Sequence, residues 1–453
     1  MRVAILGTGY VGLTTGVCFA WLGHDVVCLD TNEEKVASLL AGKIPIYEPG
    51  LAELLDASRA RLQFTCNYSE AVPQADVVII AVGTPPSPDG SPDLRYLRAA
   101  SEQVGRCLEG DFTVVVNKST VPIGSGNWVE SLIRGAYEKQ NGAKVDGRFA
   151  VASNPEFLRE GTGLLDSLYP DRVVIGGDNP KALAVLKELY RPLLDQSFPA
   201  PEFLPRPDGM TQVHLVATDL ASAELIKYAA NAFLALKISF INEIGNLAER
   251  VGADVRQVAL GIGLDTRIGP RFLQAGLGWG GSCFGKDTSA LIATAGEYGL
   301  AMPIVSAARD VNKRQRVLVV EKLLGELKIL KGRRIALLGL AFKPDTDDLR
   351  EAPSIDIARR LVQHGATVVA HDPVAAEAFT KDHPDLEVIL AATPEESLDD
   401  ADAVILVTEW AEYLQLDWAK QAPRMRNRVV VDGRSSLDRA AMEDAGFRFL
   451  TVP

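Results

Sequence analysis

The sequence predicts an α/β protein with two doubly wound domains joined by a long central helix and a small helical domain. Three observations lead to this prediction. Short β-branched segments alternate with helical stretches in the first part of the chain, a long helical pattern without proline follows, and the alternation returns after about residue 331. Such alternation is typical of parallel sheets with helices on both faces. We expect domains at residues 1–205, 206–315 and 316–453.

The predicted strands are short and mostly apolar, as buried parallel strands are. They lie at residues 3–7, 25–30, 76–82, 113–118, 149–153 and 172–176, and later at 334–340, 367–371, 403–408 and 428–432. The long helix is predicted from Asp219 to about Val251, with Gly252 as its stop. Linkers are predicted near residues 198–211, which are rich in proline and glycine, and near residues 315–331.

Composition excludes several classes of protein. The 453 residues carry a net charge of −12, which argues against a nucleic-acid partner. The cysteines are odd in number and never in a CxxC, so neither a disulfide framework nor a metal site is expected. They are Cys18, Cys28, Cys66, Cys107 and Cys283. No apolar run approaches the length of a membrane span, so we expect a cytoplasmic protein without a membrane partner.

A glycine-rich turn follows the first predicted strand. Gly7, Gly9 and Gly12 have the spacing of a dinucleotide-binding turn, in which they allow a tight turn, close approach of a pyrophosphate and close helix packing. Asp30 ends the next strand, where an acid bonds the ribose hydroxyls and repels a 2′-phosphate. The expected cofactor is therefore NAD rather than NADP. The alternative is a loop of glycines with Asp30 capping a helix.

Two other strands end in hydroxyl residues. Thr84 and Thr120 follow the third and fourth predicted strands, at the edge where ligands meet a doubly wound sheet. The alternative is an ordinary turn capped by threonine. Lys35 lies within reach of the adenosine side of such a site, or on the solvated surface.

Cys283 lies in a loop dense in glycine, including Gly280 and Gly285. Lys286 follows three residues later and Asp287 four, so that a cation can lower the thiol pKa and a carboxylate can orient water or accept a proton. A thiolate beside a hydride acceptor adds to an aldehyde, and the hemithioacetal loses a second hydride to give a thioester. The pattern indicates four-electron oxidation of a primary alcohol to a carboxylate. The alternative is a surface loop with a small buried cysteine.

Polar residues at helical spacing supply further candidates. Lys227 and Asn231 are four residues apart on the long helix and share a face suited to hold an oxyanion, or form a solvated stripe. Glu156 and Glu160 follow a predicted strand, and either serves as a general base or as helix N-terminal charge. Because no histidine falls in these segments, the base is expected to be a carboxylate, a lysine or water.

From residue 1 to about residue 434, the chain resembles the UDP-glucose dehydrogenase family of nucleotide-sugar dehydrogenases. The resemblance rests on residues 7–12, 119–122, 154–161, 227–233, 267–273, 280–287, 341–346, 350–351 and 432–434. It implies two Rossmann-like domains whose connecting helix forms the core of a homodimer or a multiple of dimers. It also implies NAD on the first domain and a UDP-sugar held by the central and last domains.

The resemblance implies the following residue roles. Cys283 is the nucleophile, and Glu156 is a base in the thioester stage. Lys227, Asn231 and Asp287 stabilise oxyanions and position water, and Thr120 is a further catalytic residue. The implied NAD contacts are Gly7, Gly9, Tyr10, Val11, Gly12, Asp30, Lys35, Thr84, Thr120, Glu160, Lys286 and Arg350. The implied substrate contacts are Glu156, Phe157, Leu158, Arg159, Lys227, Asn231, Phe272, Leu273, Gln274, Ala275, Gly276, Gly280, Lys343 and Arg434, with Arg267 reaching the sugar nucleotide from a second subunit.

Three functions are compatible with these motifs. The first is oxidation of UDP-glucose to UDP-glucuronate with two NAD reduced, which residues 267–273 and Phe284 favour. The second is the same chemistry on another nucleotide sugar, chiefly GDP-mannose. The third is a silent regulatory protein that binds NAD or a UDP-sugar. The sequence departs from the family at Gly285, where many relatives have proline, and at Trp279, where Phe or Tyr is usual; both bear on rate and sugar tolerance.

Overall fold

The computed structural model describes residues 1–87 and 90–452 and confirms the α/β fold. The chain forms two compact units, Met1–Ala229 and Ala230–Pro453. Each contains one sheet with helices on both faces. The long helix α9 (Leu220–Val251) runs through the division between the units, close to its predicted bounds.

In the first unit, residues 1–87 and 90–229 form eight strands and eight complete α-helices. The strands are β1 (Arg2–Leu6), β2 (Asp25–Leu29), β3 (Leu62–Thr65), β4 (Val77–Ile80), β5 (Thr113–Asn117), β6 (Phe149–Ser153), β7 (Arg172–Gly176) and β8 (His214–Thr218). The helices are α1 (Tyr10–Trp21), α2 (Glu33–Leu40), α3 (Leu51–Ser58), α4 (Tyr68–Ala71), α5 (Arg95–Cys107), α6 (Ser125–Asn141), α7 (Gly163–Leu168) and α8 (Pro180–Leu194).

The sheet of the first unit has the order β3-β2-β1-β4-β5-β6-β7-β8. All pairs are parallel except β6 and β7, which meet in antiparallel fashion at Ser153 and Gly176. The first six strands have the Rossmann order, whose switch point lies between β1 and β4. In β1, Val3 and Ile5 pack into one apolar cluster and Ala4 and Leu6 into another. This two-sided burial places the turn after Leu6 at the ligand-binding edge of the sheet.

As far as residue 452, the second unit contains six strands and nine complete α-helices. The strands are β9 (Arg334–Leu338), β10 (Thr367–His371), β11 (Val388–Leu390), β12 (Ala403–Leu406), β13 (Val429–Asp432) and β14 (Arg448–Thr451). The helices are α10 (Val255–Gly263), α11 (Phe284–Glu297), α12 (Pro303–Leu327), α13 (Pro353–Gln363), α14 (Ala376–Asp382), α15 (Pro394–Ser397), α16 (Ala411–Leu414), α17 (Trp418–Gln421) and α18 (Arg439–Asp444).

The sheet of the second unit is parallel throughout, in the order β11-β10-β9-β12-β13-β14. It therefore repeats the Rossmann order of the first unit. The repeat extends to side chains. Asp372 after β10 accepts hydrogen bonds from the N–H groups of Leu340 and Ala341, as Asp30 after β2 accepts one from the N–H of Thr8.

Of the two predicted linkers, residues 198–211 lie inside the first unit, between α8 and β8, and residues 315–331 lie largely in a helix. Residues 198–211 contain neither helix nor strand. Residues 315–327, however, continue helix α12, whose buried face includes Gln315, Val319 and Leu323. The segment is therefore a helix with one buried face rather than a loop, and that face carries polar Gln315 as well as apolar residues.

Candidate active site

The glycine-rich turn has the shape that a dinucleotide requires. Gly7 has a φ of +98°, and a Cβ there would lie 2.7 Å from the carbonyl oxygen of Ala81. A Cβ on Gly12 would lie 1.9 Å from the carbonyl oxygen of Gly7, so only glycine allows α1 to pack this closely. Gly9 is the N-cap of α1 without a side-chain cap, and the space beside it is open. The first turn of α1 can therefore receive a pyrophosphate.

Asp30 is held as a carboxylate at the end of β2. Its Oδ2 accepts hydrogen bonds from the N–H and Oγ1 of Thr8, at 2.9 and 2.7 Å, and lies 3.1 Å from Nζ of Lys35. Burial alone would raise the pKa of Asp30, but the hydrogen bonds from Thr8 and Asn32 and the charge of Lys35 lower it. An ionised acid at this position fits NAD and opposes a 2′-phosphate.

Other predicted NAD contacts surround this turn. The Tyr10 hydroxyl donates to Oε2 of Glu48, 2.6 Å away, and Glu48 also accepts from the N–H of Gly161 beside the half-buried Glu160. Val11 is half-buried in the first turn of α1. The Thr84 hydroxyl donates to the carbonyl oxygen of Thr120 at 2.9 Å, so the loops after β4 and β5 are joined.

Glu156 and Lys227 form a buried ion pair in the first unit. Nζ of Lys227 lies 2.7 Å from Oε1 and 2.7 Å from the backbone oxygen of Glu156. Oε2 of Glu156 accepts from the N–H of Leu158 at 2.6 Å. Burial alone would raise the pKa of Glu156, but the charge of Lys227 and its hydrogen bond lower it. The pair is an anchored carboxylate with an ammonium beside it.

A second buried lysine, which the sequence did not single out, lies behind this pair. Nζ of Lys118 donates to Oδ1 of Asn154 at 2.9 Å. Burial lowers the pKa of Lys118 to about 8, although the charge of Glu156 favours its ammonium form. Lys118 directly precedes Ser119-Thr120, and its position at a strand end is the signal that was available. The neighbouring Phe157 ring packs under the Arg172 guanidinium, 3.6 Å from the ring centre, while Arg159 is exposed and pairs with Asp166.

In the second unit, Cys283 is the N-cap of α11. Its side chain is half-buried and its Sγ lies 3.5 Å from Oγ of Ser282. A thiol at a helix N-terminus meets the positive end of the helix dipole, which favours the thiolate. Residues 280–285 adopt this conformation because Gly280 and Gly281 pack directly against Glu351 and Phe342, where a Cβ would not fit.

Asp287 is buried one turn into α11, with 1% exposure. Its N–H donates to the carbonyl oxygen of Cys283 at 2.8 Å. The amide Nδ2 of Asn231, from α9, donates to Oδ2 of Asp287 at 2.6 Å, and Nζ of Lys286 lies 3.7 Å from Oδ1. The structure thus brings together three polar residues predicted around Cys283. This constellation can orient a water or an oxyanion beside the sulfur.

Four amide side chains fix the loop that precedes Cys283, and the sequence did not identify them. Oδ1 of Asn242 accepts from the N–H of Gly276 and Oδ1 of Asn312 from the N–H of Trp279, at 2.8 and 2.7 Å. Gln315 donates to the carbonyl oxygen of Gly276 and accepts from Asn246. The only signal in the sequence was polar residues on the buried face of helical patterns.

The remaining predicted substrate contacts differ in exposure. Leu273 and Ala275 are buried, Gln274 is exposed, and Phe272 has a φ of +65°. Lys343 is half-buried beside Phe342. Exposed Arg267 pairs with Asp265, and Arg350 pairs with Asp348.

Arg434 has a structural role in addition to any contact with substrate. Its guanidinium donates to the carbonyl oxygens of Val407, Phe342 and Gly278, at 2.6, 3.0 and 3.3 Å. It also pairs with Glu409 at 3.2 Å. Arg434 therefore joins the loop before Cys283 to the edge of the second sheet.

Gly285, one of the two positions at which the sequence departs from the resembled family, lies directly against the side chain of Glu351. A Cβ on residue 285 would lie 1.9 Å from Oε2 of Glu351, so the Glu351 carboxylate fills the space that a larger residue would need. Glu351 has a φ of +51°, and its backbone oxygen accepts from Arg316. The second departure, Trp279, is buried and donates from Nε1 to Oγ of Ser239 at 3.1 Å.

Two further features concern the described part of the chain. Among residues 1–87 and 90–452, no cluster of three or more His, Cys, Asp or Glu side chains is arranged to hold a metal ion. None of the helices described there is long and apolar enough to cross a membrane.

A dinucleotide turn, a second Rossmann-like sheet and a cysteine at a helix N-terminus together define a nucleotide-dependent dehydrogenase. The chain belongs to the UDP-glucose/GDP-mannose dehydrogenase family. The family's NAD binding domain matches residues 1–194, its central domain residues 221–314 and its UDP binding domain residues 336–439.

Relatives with full-length similarity support this assignment. The chain is 44% identical to UDP-glucose 6-dehydrogenase TuaD of Bacillus subtilis (strain 168), covering 100% of this chain and 93% of the relative. It is also 44% identical to UDP-glucose 6-dehydrogenase of Rhizobium meliloti (strain 1021), covering 100% and 99%. The solved structure of a UDP-glucose dehydrogenase from Pyrobaculum islandicum matches with a TM-score of 0.88 at 42% identity, covering 100% of this chain and 97% of that one.

Proposed function

We propose that this chain oxidises UDP-glucose to UDP-glucuronate and reduces two NAD. Residues 1–205 bind NAD, residues 206–315 carry Cys283 and the dimer contacts, and residues 316–453 bind the UDP moiety. The observation that carries the proposal is Cys283 at the N-terminus of α11, one turn from buried Asp287. An alcohol dehydrogenase that stopped at the aldehyde would have no use for this thiol.

NAD fits the turn after β1. Gly7, Gly9 and Gly12 leave room for its pyrophosphate at the N-terminus of α1, and ionised Asp30 receives the ribose hydroxyls, with Lys35 beside it. Bound NAD supplies the hydride acceptor for both oxidations.

The side chains of this protein move the protons and form the covalent bond. The Glu156–Lys227 pair, with water, takes the proton of the C6 hydroxyl in the first oxidation. The Cys283 thiolate then forms a C–S bond to the aldehyde carbon. Lys227 and Asn231, which lie on successive turns of α9, stabilise the resulting oxyanion. Loss of the second hydride gives a thioester. Water oriented by Glu156 and Asp287 forms a C–O bond, the C–S bond breaks, and the carboxylate leaves.

The reaction is balanced. One primary alcohol, two NAD⁺ and one water give one carboxylate, two NADH and three protons. One of the three protons comes from the C6 hydroxyl and two come from water, the second of these being released when the acid ionises. The sulfur of Cys283 takes part in every step after the first oxidation and returns to its starting form.

The rival substrate is GDP-mannose. UDP-glucose is favoured because relatives that are 44% identical over the whole chain are UDP-glucose 6-dehydrogenases. The test is turnover with purified protein, NAD and each sugar nucleotide in turn. Turnover of UDP-glucose alone supports the proposal, and turnover of GDP-mannose alone contradicts its substrate. Ligand binding without turnover of any nucleotide sugar supports the silent regulatory protein.

We also propose that two copies of the chain pair through α9, in the cytoplasm. Phe233, Phe240 and Leu247 are spaced seven residues apart, share one helix face and are 61%, 47% and 58% exposed. An exposed apolar stripe at this spacing is typical of a helix–helix interface. In such a dimer, Arg267 would reach the partner's sugar nucleotide. Light scattering of wild-type protein and of Phe240→Glu tests this, and an unchanged mass for that variant would contradict it.

A further inference from the structure

Glu224 is a buried carboxylate that connects two helices of the first unit. It lies in the second turn of α9 and is 3% exposed. Its Oε2 accepts a hydrogen bond from the N–H of Gly124 at 2.6 Å, and its Oε1 accepts one from the N–H of Gly126 at 2.9 Å. Both oxygens are therefore used at one place, the N-terminus of α6. Gly124, the N-cap of α6, has no side chain of its own to do this.

Helix α6 begins where the loop after β5 ends. That loop contains Thr120, whose carbonyl oxygen accepts from the Thr84 hydroxyl at 2.9 Å. The N–H of Ser125, the first residue of α6, donates to the carbonyl oxygen of Pro122 at 3.1 Å. Moving the N-terminus of α6 would therefore move the loop of Thr120. The Glu224 carboxylate fixes one end of this loop.

Lys227 follows Glu224 by three residues and lies on the same side of α9. Lys227 is held in turn by Glu156. Two adjacent side chains of α9 thus hold two loops at the carboxyl edge of the first sheet, one after β5 and one after β6. This is the edge at which a doubly wound sheet binds its ligand.

Stability alone does not explain a carboxylate here. Burial raises the pKa of Glu224 to about 7, although the two N–H groups favour the ionised form. No charged side chain contributes to this shift in the described part of the chain. The folded protein is therefore less stable with Glu224 ionised near neutral pH than with Glu224 protonated at lower pH.

We propose that Glu224 is a positioning residue, which holds the Thr120 loop against α9 so that this loop and Lys227 keep one fixed arrangement around bound NAD. The proposal rests on the proposed function only in taking NAD as the ligand. Glu224 itself does not touch the reacting atoms.

The test compares Glu224→Gln with Glu243→Gln. The glutamine amide accepts one N–H but turns its own NH₂ toward the other, so one hydrogen bond is lost and two donors oppose each other. Glu243 is exposed on the same helix, and its substitution removes the same charge without this contact. Hydrogen exchange of residues 119–130 measures, without any ligand, how firmly Glu224 holds the N-terminus of α6. Equilibrium titration with NAD measures how this contact affects NAD affinity.

We expect the Glu224→Gln variant to lose roughly tenfold protection at the N-terminus of α6 and to bind NAD roughly tenfold more weakly at pH 8, whereas Glu243→Gln matches wild type. In wild type, both protection and NAD affinity should fall as the pH is lowered from 8 to 6. The N–H groups of Gly124 and Gly126 favour the ionised form of Glu224, so their release, with the carboxyl group still buried on α9, becomes easier once Glu224 is protonated. Glu224→Gln should lack this part of the pH dependence.

A purely structural residue would change the melting temperature without changing NAD affinity or its pH dependence. The proposal is overturned if Glu224→Gln binds NAD within twofold of the control. Should that variant fail to fold, the pH dependence of protection in wild type decides: constant protection factors for residues 124–126 between pH 8 and 6 would also overturn it. NAD binding requires no turnover, so failure to oxidise UDP-glucose would count against the proposed function and not against the role of Glu224.

Discussion

Nζ of Lys227 contacts Glu156 twice, at 2.7 Å from the side-chain oxygen and 2.7 Å from the backbone oxygen, and both side chains are buried. Removing one partner of a buried ion pair leaves an uncompensated charge, which costs about 3–5 kcal/mol. This pair therefore fixes the ammonium in one position and keeps the carboxylate ionised, as a base requires.

Glu156→Gln should slow the overall reaction by roughly 10²- to 10³-fold, because it removes a general base. If Glu156 acts in the thioester stage, NADH forms in a rapid burst and acyl-Cys283 accumulates, which mass spectrometry of quenched enzyme detects. Glu130→Gln is the control, since Glu130 is a surface residue paired with Arg134. A slow variant with neither burst nor acyl-enzyme would place Glu156 before the thioester.

Replacing Cys283 with Ala should lower acid formation by roughly 10³-fold or more while leaving NAD affinity unchanged, because only the covalent route needs sulfur. Product analysis by mass spectrometry, together with NAD titration, measures both quantities. Cys107→Ser, at a half-buried cysteine at the end of α5, should behave as wild type. Normal acid production by Cys283→Ala would refute the covalent mechanism.

Asp30→Ala should weaken NAD binding by roughly tenfold and improve the relative affinity for NADP, because it removes a charge-assisted hydrogen-bond acceptor and a repulsive charge. Titration with each cofactor gives the ratio of the two affinities. Asp25→Ala serves as the control, since Asp25 is exposed at the start of the same strand. An unchanged ratio would mean that Asp30 does not contact the ribose.

The close approach of Gly285 to Glu351 predicts coupled effects. Gly285→Ala in the wild-type background should lower both the melting temperature and the turnover, the latter by roughly fivefold, because Glu351 must move. In the Glu351→Ala background the same substitution should raise the melting temperature, because alanine favours a helix over glycine. If the two substitutions have additive effects on the melting temperature, the Glu351 carboxylate moves away from residue 285 without loss of stability, which would contradict this prediction.

The pKa of Glu224 predicts how stability depends on pH. Burial raises it from 4.5 to about 7, so the folded protein binds this proton more tightly than the unfolded chain. The contribution of Glu224 to the free energy of unfolding is therefore fully present below about pH 4.5 and is lost as the pH rises through about 7. The melting temperature of Glu224→Gln minus that of wild type should therefore increase from pH 5 to pH 8. A constant difference would indicate that Glu224 titrates normally.

The sequence predicted the inner strands of both sheets and missed β3, β8, β11 and β14. These four are the edge strands of the two sheets. An edge strand has a neighbouring strand on one side only and is less covered by helices, so it needs fewer apolar residues than an inner strand. β8, for example, has no buried residue.

The candidate site was predictable as far as its motifs are local. Cys283 and Asp287 stand four residues apart and were predicted from one segment, but that segment was predicted as a loop, whereas helix α11 begins directly after Cys283. The bond between Asn231 and Asp287 joins residues 56 positions apart, and the bond from Gly124 to Glu224 joins residues 100 apart. Long-range pairs such as these depend on how the helices pack, which periodicity in a single sequence does not determine.

The central claim is four-electron oxidation through Cys283, and the most direct measurement is the number of NADH formed per UDP-glucose consumed. We expect two NADH with UDP-glucuronate as the product. One NADH with an aldehyde product would contradict the claim.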